Sequence, residues 1–421
     1  MARAPALVDV WETDPAPGVV VARPLPDAAR RPLAFRLDHR KPPARCAPGT
    51  PGFRYWVAAE ALRRTADLWA PCLPGGLWRL GPVLPVKLNA GEAFNAIYNR
   101  EALTFFHGPA PPGTAPHGTI YASESPDIVC HEMGHAVLDT LKPALWQAAS
   151  HEAAAFHESF GDISAILAAL QVPELRVAVL AAAGAELARN SRLIRLGEQM
   201  GAAIRARAPD AVDRDCLRNA ANDFTYRDPL LLPAKAPAAE LSAEPHSFSR
   251  VFTAAFLEAL AGVPRLLAPA PDEAALLAAS HLMRDVLAQA VRDAPVAPNL
   301  YAQVAQAMVN AAAARHPGLP PLLAGVFARR AILPPEGVAS PVAAGPAVLA
   351  VPTGHPSLPS VLVHEAAPEA ARGFVAALFE GGRVEAAGVP AGGRLRTHRL
   401  QADGGDMVLH RCLFDCGLMH L

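Results

Sequence analysis

The stretch SPDIVCHEMGHAVLDTLKP, residues 125–143, constrains this chain more than any other. Ser125 offers a capping hydroxyl, Pro126 suits a first helical turn, and Asp127 sets a negative charge near the positive helix end. A helix is therefore predicted over 126–142, stopped by Pro143, whose ring cannot continue it. On that helix His131 and His135 stand four apart, so both imidazoles leave the same face about one turn apart. This offers two nitrogens to one tetrahedral cation, with Glu132 beside the ion rather than on it. H-E-x-x-H arises by chance in roughly one or two per cent of chains this long. A catalytic zinc also needs a third protein ligand.

The segment AAAFHESFGDISAIL supplies one, on a second helix predicted over about 151–170. Glu158 is expected to be the third ligand, with Asp162 one turn later holding the other nitrogen of His131. Glu152 competes for the ligand role but lacks an acid at i+4. His157 reads as a histidine that supports or packs against the ligands, not as a fourth ligand.

With 421 residues the chain can form two or three domains. It is 52% hydrophobic and 18% charged, which fits a globular protein. A formal net charge of −1 and the lack of any Lys/Arg run argue against nucleic acid or an anionic membrane as partner. The alanine-rich run RVAVLAAAGAELA is too short and too charged to span a bilayer, so no transmembrane segment is expected. The opening MARAPALVDVWETDPAPG has no apolar run of signal length, which predicts a cytoplasmic location, with export by another route as the alternative. The six cysteines are too scattered for a disulfide framework. Cys412 and Cys416 read as a structural pair rather than as ligands.

Residues 1–50 are proline-rich and read as an extended or short-strand lead-in. FRYWVAAEALRRTADLW has helical periodicity, and PVLPVKLN and FNAIYNREALTFFHG alternate as strands do. Helical patterns then dominate to about residue 315. A proline-rich break at 333–346 divides a main domain, 51–330, from a small β-containing domain, 331–421. In the latter, two strands are predicted around Asp403-Gly404-Gly405. Strands and helices are segregated, which is an α+β pattern.

H-E-x-x-H followed by E-x-x-x-D, here with 22 residues between His135 and Glu158, resembles the thermolysin-like zinc metallopeptidases. HEMGHAVLD and the later ALWQ follow that family's wording, and the resemblance spans roughly residues 50–315. It implies a two-lobed fold, with a β-containing N-terminal lobe and a helical C-terminal lobe. It also implies one catalytic zinc on His131, His135 and Glu158, activating a water for which Glu132 is the general base. FNAIYNREALTFFHG resembles the edge strand that pairs with substrate backbone, which assigns Asn95 and Ala96. CLRNAANDFTYRDP assigns Arg218 to a substrate carbonyl, and PHSFSRVFTAAFLEAL assigns His246 to the tetrahedral intermediate. Ile128 and Leu217 fall where the family lines the pocket for the residue after the scissile bond, implying an apolar preference. Taken singly, Arg218 would read as an ion-pair partner, His246 as a loop histidine and Asn95 as a strand-end residue.

Three positions depart from the family. Trp146 stands where a tyrosine donates to the oxyanion, although an indole N–H is still a donor. The acid that orients the stabilising histidine falls on Leu241, with Glu240 and Glu244 off the expected spacing. Calcium-binding acids are mostly missing: Asp127 matches one, its partner is Ala169, and no calcium is expected. The leading expectation is a zinc metalloendopeptidase acting on peptides or proteins. The alternative is a zinc-binding protein that keeps the fold with little turnover. An exopeptidase, with Glu92 capturing a free amine, ranks third.

Overall fold

The computed structural model describes residues 6–416 apart from 74, 113–117, 184–186, 188–190, 335–347, 356–357, 365–366 and 386–394. Strands β1 (Leu7–Trp11) and β2 (Val20–Pro24) form an antiparallel hairpin. Alternation along β1 turns Val8 and Val10 to one buried face. That face meets helix α1 (Pro51–Trp69), opened by the Thr50 hydroxyl accepting from Phe53 N with Pro51 behind it. Strands β3 (Ala34–Leu37), β4 (Val83–Lys87), β5 (Ala96–Tyr98) and β6 (Leu103–Phe105) build the central sheet. There β3, β4 and β6 run parallel, and β5 pairs antiparallel with β6. Residues 6–50 are thus part of the fold: β3 is a sheet strand, and Leu33 and Phe35 are core residues. A further hairpin, β7 (His107–Pro109) with β8 (Thr119–Tyr121), leads into the helices.

Helix α2 (Pro126–Leu141) starts at the Ser125 cap as expected and ends one residue early, with Lys142 as its C-cap. Helix α3 (His151–Ala169) is buried along its whole length, as the most central helix must be. The two approach closely because both carry glycine where they cross: a Cβ on Gly134 would lie 2.9 Å from Gly161 Cα. Helix α4 (Pro173–Ala183), strand β9 (Arg195–Leu196), helix α5 (Glu198–Arg205) and strand β10 (Arg218–Asn219) follow, with β9 and β10 paired. Helices α6 (Pro245–Leu267), α7 (Glu273–Asp293), α8 (Leu300–Ala313) and α9 (Leu319–Arg329) complete the bundle around α3. Among the described residues no single helix is long and apolar enough to cross a membrane.

The expected break at 333–346 lies almost wholly outside the described residues. Beyond it come β11 (Val348–His355), β12 (Leu358–His364), α10 (Pro368–Glu380), β13 (Val384–Glu385), β14 (His398–Asp403) and β15 (Asp406–Arg411). The strands form one sheet in the order β11-β12-β15-β14-β13. Val351, Val361, Phe374 and Leu409 make its small core, which also takes in Ala149 and Ala154 beside α3. The β14–β15 turn uses Gly404 and Gly405 at φ of +60° and +99°, a region that favours glycine. The chain then leaves this sheet. Its last described strand, β16 (Phe414–Asp415), pairs antiparallel with β5 and becomes the edge of the central sheet. The C-terminal unit is therefore joined to the main domain through shared strand pairing. Cys412 and Cys416 are both free thiols.

Candidate metal centre

Where α2 and α3 cross, four side chains converge with almost no exposure: His131, His135, Glu158 and Asp162. The imidazole centroids of His131 and His135 are 4.8 Å apart. Glu158 faces both, with Oε2 3.3 Å from His131 Nε2 and Oε1 3.8 Å from His135 Nε2. Bonds of about 2.0–2.2 Å to one tetrahedral ion put neighbouring ligand atoms about 3.4 Å apart. The observed spacing is close to that.

Partner counting agrees. His131 Nε2 and both nitrogens of His135 are buried without a hydrogen bond of acceptable geometry, while Glu158 Oε2 has His246 Nε2 at 3.2 Å. An unsatisfied buried polar atom costs about 1–3 kcal/mol, and a cation between the rings would satisfy His131 Nε2 and His135 Nε2, leaving His135 Nδ1 without a partner. One ligand atom each from His131, Glu132 and His135 also lies within 4.8 Å of the others, so this buried group could hold a metal ion. Two carboxylates thus compete for the ion. Glu158 is the nearer fit to both imidazoles.

The electrostatics suit that division. Burial drives His135 down to about 3, leaving its imidazole neutral with a free lone pair. Burial also works against the charge on Glu158, but the protonated His246 and the hydrogen bonds from His246 and His131 outweigh it and hold that carboxyl well below its usual range. Glu132 is the reverse: burial first, then the Glu158 charge, push its carboxyl up to about 8 against the pull of His131. The Cys416 thiol is close enough to pull the other way, though neither Glu132 oxygen has a hydrogen bond of good geometry. A fully buried carboxyl with raised proton affinity beside a cation site can take and return a proton.

Asp162 Oδ1 lies 2.9 Å from His131 Nδ1, which fixes the proton there and turns Nε2 toward Glu158. Burial opposes the charge on Asp162, but Arg218 and His131 bring its carboxyl down to about 2. Arg218 donates to Asp162 from Nε at 3.1 Å and Nη2 at 2.8 Å. Only Nη1 is left to reach into the cleft.

Gly161 makes this arrangement possible. A Cβ there would stand 2.6 Å from Cε1 and Nδ1 of His131. Gly161→Ala is expected to push the ring off Asp162 and weaken metal binding about 10–100-fold. Competition against a chelating dye would measure it, and unchanged affinity would remove the packing argument.

Other expected residues are found in different roles. Glu152 points away, accepting from Tyr226 Oη at 2.7 Å and Tyr301 N at 2.8 Å. Burial raises it to about 7, despite those two donors. A raised pKa means the folded state holds the proton more tightly. Stability is then full below about pH 4.5 and falls by about 3 kcal/mol as pH rises through 7. Glu152→Gln is expected to flatten thermal stability over that window; a parallel decline in both proteins would contradict it.

His157 packs against a ligand rather than hydrogen-bonding to one: its ring centroid is 5.8 Å from that of His135 and 3.9 Å from Phe414, and neither nitrogen is partnered. The Trp146 indole N–H is engaged elsewhere, donating to the Arg411 carbonyl at 3.1 Å. His246 does have an orienting acid. Its Nδ1 donates to Glu244 Oε1 at 2.7 Å, while Glu244 Oε2 caps α6 by accepting from Ser247 N. Burial disfavours charge on His246, but Glu158 and Glu244 outweigh it and keep the ring protonated. The Glu244-Pro245 helix opening carried that signal, because an N-cap acid before a first-turn proline has a second oxygen to offer. Ile128 and Leu217 are buried together beside Gly197. Asp127, in the first turn of α2, accepts from Gly197 N at 3.4 Å; burial and the neighbouring Asp14 push its carboxyl up.

Comparison with models of known protein families gives no match, and comparison with curated proteins gives none either. What the site can do therefore rests on its own geometry.

Ala96 sits in β5, where its carbonyl accepts from Cys416 N at 3.0 Å, and Asn95 Oδ1 accepts from Ala96 N at 2.8 Å. The strand expected to receive a substrate is thus paired with β16 of the same chain. Three cleft residues had no sequence-level assignment: Arg383, whose Nη2 reaches Asp415 Oδ1 at 2.8 Å; Arg411, 4.3 Å from the Phe414 ring; and Asp415 itself. Nothing local marks them, since their partners lie elsewhere in the chain.

Proposed function

We propose that this chain is a zinc-dependent peptidase of the thermolysin-like kind. The observation that carries the reading is the buried convergence of His131 Nε2, His135 Nε2 and the Glu158 carboxylate, 3.3 and 3.8 Å apart, with the Glu132 carboxyl beside them. Two imidazoles and one carboxylate with a position left open are a catalytic zinc donor set, whereas structural sites are closed by four protein ligands. Zinc bound there supplies a Lewis acid and lowers the pKa of water toward neutrality.

The remaining work belongs to the chain. Backbone laid along the β5 edge that β16 now occupies is held by main-chain hydrogen bonds, which favour an extended peptide of loosely restricted sequence. His246, protonated and oriented by Glu244, donates to the carbonyl under attack and to the oxyanion it becomes. Arg218 Nη1 binds the next carbonyl. Glu132 takes a proton from the attacking water and delivers it to the leaving amine. Ile128 and Leu217 favour an apolar residue after the scissile bond.

The test is metal content by elemental mass spectrometry together with cleavage of a mixed peptide library. About one zinc per chain and cleavage abolished by chelation are expected. Absence of bound zinc after reconstitution would remove the ligand assignment. A second reading, a zinc-binding protein with little turnover, is favoured by the engagement of Trp146 with Arg411, which leaves His246 as the oxyanion donor without an indole beside it. Stoichiometric zinc with an untouched library would move that reading ahead.

A further inference from the structure

We propose that the Asp415–Cys416 peptide bond is this site's own substrate, so that the chain hydrolyses itself there and releases the segment beginning at Cys416. The inference rests on the peptidase reading above and names its first substrate.

Three main-chain contacts lay the C-terminal arm across the centre as a substrate would lie. Strand β16 pairs antiparallel with β5, Phe414 opposite Tyr98 and Asp415 opposite Ile97, and Cys416 N continues the ladder to Ala96 O. The Asp415 carbonyl accepts from His246 Nε2 at 2.6 Å. The Cys416 carbonyl accepts from Arg218 Nη1 at 3.4 Å. Consecutive carbonyls thus meet the oxyanion donor and the arginine, and the bond between them is Asp415–Cys416.

A strand that only closed a sheet edge would need backbone hydrogen bonds and nothing more. This one is also fixed in register by its side chains. Asp415 is buried in an ion pair with Arg383, and Phe414 is held between the His157 ring and the Arg411 guanidinium. A slip of one residue would reverse every side chain on the strand, so these anchors select one bond. Water has a route to it: a cavity of about 560 Å³ is lined by Asn95, Glu158, His246, Arg383 and Asp415. Holding the bond in place removes the entropic cost of bringing substrate to the centre.

The reaction balances as a hydrolysis. The water oxygen bonds to the Asp415 carbonyl carbon, the C–N bond to Cys416 breaks, and Glu132 carries the proton to the departing nitrogen. Asp415 becomes a C-terminal carboxylate, and Cys416 becomes the amino end of a fragment reading CGLMHL in this sequence. The Cys416 contacts to Ala96 and Arg218 leave with it, which opens that half of the cleft to other peptides.

Intact-mass spectrometry of the full chain with zinc at neutral pH tests the proposal. The wild type is expected to lose CGLMHL at a rate independent of dilution, while Glu132→Gln stays whole. A second readout needs no turnover. In metal-free Glu132→Gln the Cys416 thiol is expected to resist iodoacetamide while Cys46 reacts. Adding Arg383→Ala should speed Cys416 labelling at least about tenfold by unseating the arm.

Cys416 labelling as fast as Cys46 would overturn the proposal, as would loss of the fragment from Glu132→Gln or a cleavage rate that scales with concentration. A wild type that stays whole yet cuts a peptide library overturns this inference and leaves the peptidase reading intact. A wild type that stays whole while full-length Phe414→Ala cuts the library makes the arm a plug, again against self-cleavage only. If neither cuts anything, the peptidase reading falls and takes this inference with it.

Discussion

Asp162→Ala is expected to lower stability by about 3–5 kcal/mol and to weaken metal binding about 10–100-fold. Both effects come from one buried carboxylate with two partners. Asp162 accepts from Arg218 through Nε and Nη2, and it fixes the Nδ1 proton of His131. Arg218 is itself buried. Removing Asp162 leaves a guanidinium without its counter-charge in the protein interior, the situation in which a buried ion pair has its largest measurable effect. The same change frees the His131 ring to turn or change tautomer, so Nε2 is no longer aimed at Glu158. Asp162→Asn separates the two roles, since the amide can still accept from His131 while the charge opposite Arg218 is lost. Denaturant titration with and without zinc, beside chelator competition, would measure both. A loss under about 1 kcal/mol with unchanged zinc affinity would mean that neither partnership matters.

How legible these features are depends on how local their causes are. The Ser125-Pro126-Asp127 opening of α2 is read from three adjacent residues because capping is short-range chemistry. His131 and His135 share a face by helical geometry alone. Glu158 and Asp162 follow from the same periodicity on α3, and the structure brings them against the histidines because Gly134 and Gly161 let the helices touch. Trp146 departs from its expected role for a different reason. Its indole N–H goes to the Arg411 carbonyl, 265 residues away, and no local pattern reports such a partner. The acid that orients His246 is not at the family's spacing, on Leu241. The helix-opening Glu244 supplies it instead, two residues before the histidine. The departure of β16 from its neighbouring strands to join β5 is the least legible feature. A two-residue strand carries no periodicity, and its sheet is decided by Arg383, His157 and Arg411 acting together. What one turn of helix encodes can be read, and what distant elements negotiate cannot.

Glu132→Gln is expected to reduce hydrolysis of any peptide about 10²–10⁴-fold while zinc content stays near one per chain. The two carboxylates differ in which of them holds the ion. Glu158 stands 3.3 and 3.8 Å from the two ligand nitrogens, with its charge supported by His246 and His131. Glu132 is pushed up to about 8, a value suited to exchanging protons near neutrality and poorly suited to a permanent anionic ligand. The amide put in place of that carboxyl would fill the same space but can neither take a proton from water nor return one to an amine. Zinc binding should therefore survive, and turnover should not. Glu158→Gln should do the opposite, losing zinc first and activity as a consequence. If instead Glu132→Gln empties the site and Glu158→Gln leaves it filled, the ligand and the base have been assigned the wrong way round. The buried cluster of His131, Glu132 and His135 would then be the metal site itself. Elemental analysis of the two variants side by side decides between these arrangements before any substrate is added.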